Sequence, residues 1–161
     1  GWDADASIPS RFDRLGKDVD FAKNGAILEV QFSNYPFVSN NIIRSETFYQ
    51  KDIIFGGQKT GILIIVAKGK MFPASQSTLY YEQAVGQINS IEVDLDIPIR
   101  VVGMFESKNQ TVDVKWTDYE DRYSRDPETR TTVQATIIPD GARCNIDLSN
   151  QQGGTQQGIN I

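Results

Sequence analysis

The chain has 161 residues, 39% of them hydrophobic and 23% charged, which is typical of one soluble globular domain with a hydrophobic core. Its net charge of −5 counts weakly against a nucleic-acid-binding protein, although the distribution of charge matters more than the sum. The chain has no histidine, which excludes histidine-based triads, metal sites and general bases. Carboxylates with a metal ion are therefore the simplest catalytic chemistry for this sequence.

The cysteine content and the chain start give the expected cellular setting. Cys144 is the single cysteine and cannot form an internal disulfide, so we expect a cytoplasmic protein. The longest apolar run, residues 62–67, is too short for a membrane span. Residues 1–10 show neither the basic region nor the apolar stretch of a signal peptide, and we expect them to be irregular. A start at Gly1 rather than Met suggests a fragment, a processed product or the remnant of a tag.

The first predicted element is a β-hairpin. Residues 18–21 have strand character, and residues 26–32 form a second predicted strand. Between them lies Lys23-Asn24-Gly25, and an Asn-Gly pair accepts the positive φ angles of a tight turn. Pro36 cannot donate a hydrogen bond to a strand ladder, so we expect the second strand to end before it.

This hairpin carries acidic side chains on one face. Alternation along the second strand places Glu29 and Gln31 on the same face as Ile27, and strand pairing brings Asp20 beside them. Two carboxylates and a neutral oxygen suit Mg²⁺, which prefers oxygen ligands and can activate a water. Asp18 competes with Asp20 for this role, because both lie on one strand face. From the pattern alone, an ordinary hairpin with its polar residues in solvent remains the alternative.

Two helices are predicted in the middle of the chain. Residues 40–51 form an amphipathic pattern, and residues 79–92 form the second helix with Glu82 near its first turn. The apolar stripe of the first helix consists of Ile42, Ile43, Thr47, Phe48 and Tyr49. The candidate N-caps are Asn40 or Asn41 for the first helix and Ser77 or Thr78 for the second.

Two buried strands are predicted around the second helix. They occupy residues 61–68 and 97–104, both rich in β-branched residues. Residues 55–58 are a predicted turn and residues 70–78 a predicted loop. The order strand, helix, strand favours an α/β fold with a mixed sheet.

The last third of the chain is β-like and ends in a polar tail. Residues 111–116 alternate in polarity, and residues 131–138 are rich in Thr, Val and Ile. We therefore predict a catalytic α/β core over residues 1–110 and a smaller β-rich lobe over residues 111–148. Residues 149–161 are rich in Gln, Gly and Asn and are predicted to be a flexible tail.

A series of ordered motifs between residues 8 and 125 carries a family resemblance. The motifs are Arg11-Phe12-Asp13, Leu15-Gly16, Asp20-Phe21, Glu29-Val30-Gln31-Phe32-Ser33-Asn34-Tyr35-Pro36-Phe37, Arg44-Ser45-Glu46, Met71-Phe72-Pro73-Ala74-Ser75, Leu79-Tyr80-Tyr81-Glu82-Gln83-Ala84 and Arg122-Tyr123-Ser124-Arg125. In these motifs the chain resembles the BglII type of restriction endonuclease, within the PD-(D/E)XK nuclease superfamily. The superfamily usually has Lys as its third motif residue, but the BglII type is similar to this chain in carrying Gln.

The resemblance implies a catalytic set of Asp20, Glu29 and Gln31. Asp20 and Glu29 would bind Mg²⁺, with the Val30 carbonyl as a third oxygen. The spacing to Glu29 in the family motif selects Asp20 over Asp18. Gln31 would orient the attacking water, because an amide is not a strong base.

The resemblance also implies residues that contact DNA. They are Ser33, Asn34, Arg44, Gln76, Ser77, Tyr123 and Arg125. Asn and Gln can pair with adenine and Arg with guanine in the major groove, and we expect Arg44 at the start of the first helix. The family has Asn where this chain has Gln76, so the recognised sequence is the same or a related one.

The implied function is a Mg²⁺-dependent type II endonuclease that cuts double-stranded DNA at a short palindromic, GATC-centred site. It would act as a homodimer, since a palindrome matches a two-fold axis, with the helix at residues 79–92 as the expected dimer contact. Residues 111–148 would be a DNA-recognition lobe, and family members carry a helical segment ahead of this chain. Two rival interpretations are a non-catalytic DNA-binding protein with the nuclease fold and a β-sandwich ligand-binding module.

Overall fold

The computed structural model describes residues 1–69, 79–119, 121, 127–141 and 143–148. The chain divides into two compact units, Gly1–Phe105 and Glu106–Ile161. The predicted loop at residues 70–78, with the candidate caps Ser77 and Thr78, and the predicted tail at residues 149–161 lie outside the described residues. None of the helices in the described part of the chain has the length and apolar character needed to cross a membrane.

The first unit combines a mixed sheet with two α-helices. Its strands are β1 (Asp3–Ser7), β2 (Asp18–Lys23), β3 (Ala26–Val30), β4 (Ile54–Phe55), β5 (Gln58–Lys59), β6 (Ile62–Lys68) and β7 (Ile99–Met104). Its helices are a 3₁₀ helix (Ser10–Leu15), α1 (Phe37–Gln50) and α2 (Tyr81–Asn89). Within the described residues the main sheet has the order β1-β2-β3-β6-β7. The predicted α/β class with a mixed sheet is confirmed.

Strand direction changes in the middle of this sheet. β1, β2 and β3 pair antiparallel, whereas β3 pairs parallel with β6, and β6 pairs parallel with β7. Parallel neighbours need crossover connections. α1 and the small β4–β5 hairpin lie between β3 and β6 in the chain, and α2 lies between β6 and β7. α1 therefore begins close to the carboxyl end of β3.

The predicted hairpin is confirmed as β2 and β3. Its turn residues Asn24 and Gly25 have φ angles of 47° and 80°, the combination that a two-residue hairpin turn requires. A Cβ atom on Gly25 would lie 2.2 Å from the Lys59 carbonyl oxygen, so this position needs glycine for space as well. β3 ends at Val30, two residues before the predicted end of the strand.

The prediction of an irregular N-terminus is wrong. β1 forms an edge strand that pairs antiparallel with β2, with Ala6 opposite Val19. The sequence Asp3-Ala4-Asp5-Ala6-Ser7 alternates polar residues with alanine, but Asp and Ala are both depleted in strands, so its composition gave no strand signal. Its hydrogen bonds to β2 are a tertiary feature.

Helix α1 differs in detail from its prediction. It begins at Phe37, directly after Pro36, so neither Asn40 nor Asn41 caps it. The Phe37 amide donates to the Asn34 carbonyl at 2.9 Å. The buried side chains are Val38, Asn41, Ile42, Arg44, Ser45 and Phe48, whereas Ile43 of the predicted apolar stripe is 63% exposed. The buried face thus contains two strongly polar side chains.

Helix α2 is shorter than predicted, and its start is defined differently. It runs from Tyr81 to Asn89, and the Gln83 side chain accepts a hydrogen bond from the Tyr80 amide at 3.1 Å. Of the two strands beside it, β6 alternates fully buried and half-buried residues, as a central strand does. β7 lies at the sheet edge and alternates half-buried with exposed residues, so the prediction of a fully buried strand is wrong there.

The second unit contains an antiparallel sheet. Its described strands β8 (Thr111–Tyr119), β9 (Pro127–Asp140) and β10 (Arg143–Asp147) have the order β10-β9-β8. The first two extend the predicted strands, and β10 was not predicted. Ala135 and Cys144 are buried in this unit, so the cysteine packs as a small apolar side chain.

Candidate active site

The candidate site lies around the carboxyl end of β3 in the first unit. A cavity of about 410 Å³ is lined there by Asp20, Glu29 and Gln31 and by residues of the facing helix. Asp20 comes from β2, Glu29 from β3, and Gln31 directly follows β3. The structure therefore brings together the three residues that the sequence analysis assigned to catalysis. Asp18 is exposed and is not part of the lining, which favours Asp20 over Asp18.

Asp20 is fixed by the backbone of the neighbouring strand. Its Oδ2 atom accepts a hydrogen bond from the Val30 amide at 2.7 Å. This hydrogen bond ties one carboxylate oxygen of Asp20, on β2, to the backbone of β3 next to the cavity. Val30 itself lines the cavity together with Asp20 and Glu29.

Glu29 is a buried acid with a changed protonation equilibrium. Only 3% of its surface is exposed, and this burial raises the pKa of its carboxyl from 4.5 to about 7. The Arg44 guanidinium opposes the shift and lowers the pKa, and the Asp20 carboxylate raises it. Hydrogen bonds from Arg44 and from the Asp20 backbone lower it further. The charged form of Glu29 thus depends on nearby positive charge.

Arg44 supplies that charge from the middle of α1, so the expectation that it starts the helix is wrong. Its Nη2 atom donates to Glu29 Oε1. Its Nη1 atom donates to the carbonyl oxygens of Leu15 at 3.4 Å and Asp18 at 3.2 Å. A Cβ atom on Gly16 would lie 2.9 Å from Nη1, so glycine at that position leaves room for the guanidinium.

Gln31 is held at both ends of its side-chain amide. Its Nε2 atom donates to the Ser33 carbonyl, and its Oε1 atom accepts from Asn41 Nδ2 at 3.3 Å. Its backbone amide continues the parallel pairing by donating to the Val66 carbonyl at 2.8 Å. The amide is therefore placed and oriented by the protein, consistent with a side chain that positions another group.

Asn41 and Arg44 line the cavity from α1 and donate hydrogen bonds to two of the candidate catalytic residues. They lie three positions apart on one face of α1, a spacing of about 5–6 Å between Cβ atoms. Their partners Gln31 and Glu29 lie two positions apart on the chain, about 7 Å in an extended segment. Both hydrogen bonds come from residues three positions apart on α1, so one helix face supports both side chains. Sequence reasoning missed this role, although two polar residues on an otherwise apolar helix face were a signal.

Ser33 and Asn34 lie in the exposed segment between β3 and α1. Asn34 has a φ angle of 55°, and its carbonyl accepts the amide of Phe37 at the start of the helix. The segment therefore connects Gln31 at one end to α1 at the other. The predicted DNA-contacting residues Gln76, Ser77, Tyr123 and Arg125 lie outside the described residues.

The donor chemistry of the cavity fits a hard divalent cation. Asp20 and Glu29 contribute carboxylates to its lining, and Val30, whose carbonyl the sequence analysis assigned to the metal, is a further lining residue. Among the described residues no group of three or more His, Cys, Asp or Glu is placed to hold a metal ion. A metal here would therefore depend on two carboxylates, one carbonyl and water, a set that suits Mg²⁺ better than a softer ion.

Comparison with known proteins gives a consistent family. The model of the family described as restriction endonuclease BglII/BglIII matches residues 1–104. The chain is 47% identical over 140 residues to the type II restriction enzyme BglII of Bacillus subtilis. That match covers 85% of this chain, which spans 63% of the length of the relative.

Two crystal structures are similar to the chain along most of its length. The first is restriction endonuclease BglII complexed with a DNA 16-mer, with 45% identity and a TM-score of 0.79. The second is free BglII, with 44% identity and a TM-score of 0.63. Each match covers 90% of this chain and 69% of the other chain.

Proposed function

We propose that this chain, which belongs to the restriction endonuclease BglII/BglIII family, is a type II endonuclease that cuts double-stranded DNA in a Mg²⁺-dependent reaction. The observation that carries the proposal is the convergence of Asp20, Glu29 and Gln31 on one cavity at the end of β3. As the family resemblance implies, the site recognised would be short, palindromic and GATC-centred.

The cavity residues support two parts of the proposed hydrolysis, namely metal binding and orientation of the attacking water. Asp20, Glu29 and the Val30 carbonyl would hold the Mg²⁺ ion. When bound, the ion supplies Lewis-acid activation of a water and neutralises charge on the phosphate. The Val30 amide holds Asp20 in place, and Arg44 holds Glu29, so both carboxylates are oriented before substrate arrives.

Gln31 has the role of orienting the attacking water. An amide offers a hydrogen-bond donor and an acceptor but does not take up a proton near neutral pH, so Gln31 is given no role in proton transfer. Its own orientation is fixed by Asn41 and by the Ser33 carbonyl. We infer that Asn41 is a positioning residue for Gln31.

The assignment of DNA as substrate rests on the family and on the crystal structure of the relative with a DNA 16-mer. Ser33 and Asn34 are proposed to contact bases, because they are exposed and directly follow the catalytic strand. The proposed set of DNA contacts is completed by Arg44, Gln76, Ser77, Tyr123 and Arg125. A homodimer matched to the palindrome, with α2 in the dimer contact, and a cytoplasmic location complete the proposal.

Cleavage of plasmid DNA with and without Mg²⁺ tests the function directly. The exchanges Asp20→Asn and Glu29→Gln each remove a charged ligand while keeping the side-chain shape, so each should abolish cleavage and leave the circular dichroism spectrum unchanged. Asp18→Asn is the matched control, since its carboxylate is exposed outside the cavity lining. Wild-type cleavage by both catalytic variants would refute the site.

A non-catalytic DNA-binding protein with the same fold is the second candidate. The buried ion pair between Arg44 and Glu29 favours this alternative, because the Arg44 guanidinium already pairs with a carboxylate that is proposed to bind the metal. The same plasmid assay separates the two, because the non-catalytic protein would shift the duplex in a gel without cutting it at any Mg²⁺ concentration.

A further inference from the structure

The guanidinium of Arg44 pairs with Glu29, the carboxylate that the proposed function assigns to metal binding. Arg44 Nη2 donates to Glu29 Oε1, and the two side chains are only 10% and 4% exposed. A buried carboxylate needs a positive partner, because burial removes the water that would otherwise solvate it. In the metal-free protein Arg44 provides that partner.

Hydrogen bonds to the backbone hold the Arg44 guanidinium in this position. Nη1 bridges the carbonyl oxygens of Leu15, at the end of the 3₁₀ helix, and of Asp18, at the start of β2. Gly16, with a φ angle of 125°, lies between them and leaves the space that Nη1 occupies. The charge of Arg44 is therefore held close to the cavity, where bulk water and salt screen it less than at the surface.

One donor of this guanidinium group is unused. Among the described residues, Arg44 Nε is buried without a hydrogen-bond partner. Arg44 lines the same cavity as Asp20 and Glu29, so the side chain that carries this unpaired N–H is part of the wall of the proposed active site, with Nε itself covered. A buried donor without a partner is unfavourable, and a phosphate in the cavity would give it a partner once the guanidinium turns towards the anion.

We propose that Arg44 is a positioning residue that couples metal binding to DNA binding. Without DNA it neutralises Glu29, and its fixed positive charge repels a divalent cation. A phosphate in the cavity brings negative charge and a hydrogen-bond acceptor to the guanidinium, which offsets the repulsion. This inference rests on the proposed function in two points, namely Glu29 as a metal ligand and a phosphodiester as the substrate.

Coupling of this kind is reciprocal and therefore has two readouts. If DNA strengthens metal binding by a given factor, the metal strengthens DNA binding by the same factor. Removing the charge of Arg44 should raise metal affinity in the absence of DNA and reduce the coupling. A purely structural role would act in the opposite direction, because a loosened site binds metal more weakly.

The first experiment measures Mn²⁺ binding to the DNA-free protein by calorimetry, under anaerobic conditions at about pH 9 so that the Glu29 carboxyl is ionised. Arg44→Met, which keeps an unbranched apolar stem without the charged guanidinium, should bind Mn²⁺ roughly tenfold more tightly than the wild type. Arg44→Lys retains the charge and should stay near the wild-type affinity. Arg14→Met is the matched control, because Arg14 lines the same cavity but is exposed and screened by solvent.

The second experiment measures the affinity for an uncleavable duplex with and without Ca²⁺. The wild type should bind the duplex more tightly with Ca²⁺, and Arg44→Met should show a smaller gain. Arg44→Met binding Mn²⁺ no more tightly than the wild type, or gaining as much from Ca²⁺, would overturn the inference. If Mg²⁺-dependent cleavage by the wild type is observed in that case, the proposed function survives and only the coupling fails.

A measurement on the wild type covers the case in which Arg44→Met does not fold. In spectra of the protein labelled with ¹⁵N-arginine, the Arg44 Nη signals report its contact with Glu29. Addition of Mg²⁺ should shift these signals, and addition of the duplex should shift the Nε signal. Arg44 signals that remain unchanged with both ligands would overturn the coupling without any substitution.

Discussion

Glu29 shows how one residue can depend on two opposing interactions. Burial favours its neutral form and raises the pKa to about 7, whereas Arg44 favours the charged form. A metal ion would add to the effect of Arg44, so metal binding below about pH 7 should release a proton. Metal affinity is therefore expected to rise with pH until Glu29 is ionised.

This protonation also predicts how the stability of the metal-free protein depends on pH. The carboxyl of Glu29 has a pKa of about 7 in the folded protein and 4.5 in the unfolded chain. The folded state therefore binds the proton more tightly than the unfolded chain. The stability that this proton contributes is complete below pH 4.5 and is lost as the pH rises from 4.5 through about 7. The loss corresponds to about 3 kcal/mol in the free energy of unfolding.

Urea unfolding at a series of pH values, with the metal removed, measures this contribution. Glu29→Gln is the control, because it keeps the shape and cannot titrate. As the pH rises, the free energy of unfolding of the wild type should fall relative to that of Glu29→Gln. A difference that is flat between pH 4.5 and 7 would show that Glu29 is ionised throughout.

At the scale of elements, the connection from β3 to α1 organises the site. β3 ends at Val30, and the short segment after it turns into α1 at Phe37. α1 then returns Asn41 and Arg44 to the end of the strand it came from. A strand and a helix that are adjacent in sequence therefore hold the candidate catalytic side chains from two directions.

The β2–β3 turn gives a prediction at the same scale. Gly25→Ala adds a Cβ atom that would lie 2.2 Å from the Lys59 carbonyl oxygen at a φ angle of 80°. Gly57→Ala has nearly the same φ, 84°, with nothing within 4 Å of the added atom. Gly57→Ala should cost about 1–2 kcal/mol from backbone strain alone, and Gly25→Ala clearly more. Equal losses in chemical denaturation would show that the turn moves to accept the methyl group.

At the scale of the whole molecule, a chain with a net charge of −5 is proposed to bind a polyanion. Such binding requires local positive charge, and each phosphate contact releases counterions. Asp20 and Glu29 contribute to the negative sum, but a bound metal would offset both. The net charge of the metal-loaded protein is therefore less unfavourable for DNA than the sequence suggests.

The proposed homodimer predicts the composition of the DNA complex. Sedimentation with a short palindromic duplex should give two chains per duplex, because each half-site needs one copy. The binding constant should fall steeply with salt concentration, in proportion to the number of phosphate contacts. A persistent complex of one chain per duplex, or an affinity independent of salt, would contradict this assembly.

The sequence by itself determined the features that depend on local chemistry and on alternation along a strand. The Asn24-Gly25 turn, the period of two in β3 and the placement of Glu29 beside Asp20 follow from neighbours in the chain. The α/β class likewise followed from the order of its elements.

Only the tertiary structure decided the contacts between residues far apart in sequence. Arg44 and Glu29 are 15 positions apart, and Arg44 and Leu15 are 29 apart. The strand character of β1 is equally non-local, because its polar sequence becomes a strand by pairing with β2. The physical reason is common to both: burial and backbone pairing depend on which elements pack together, and no local pattern records the partner.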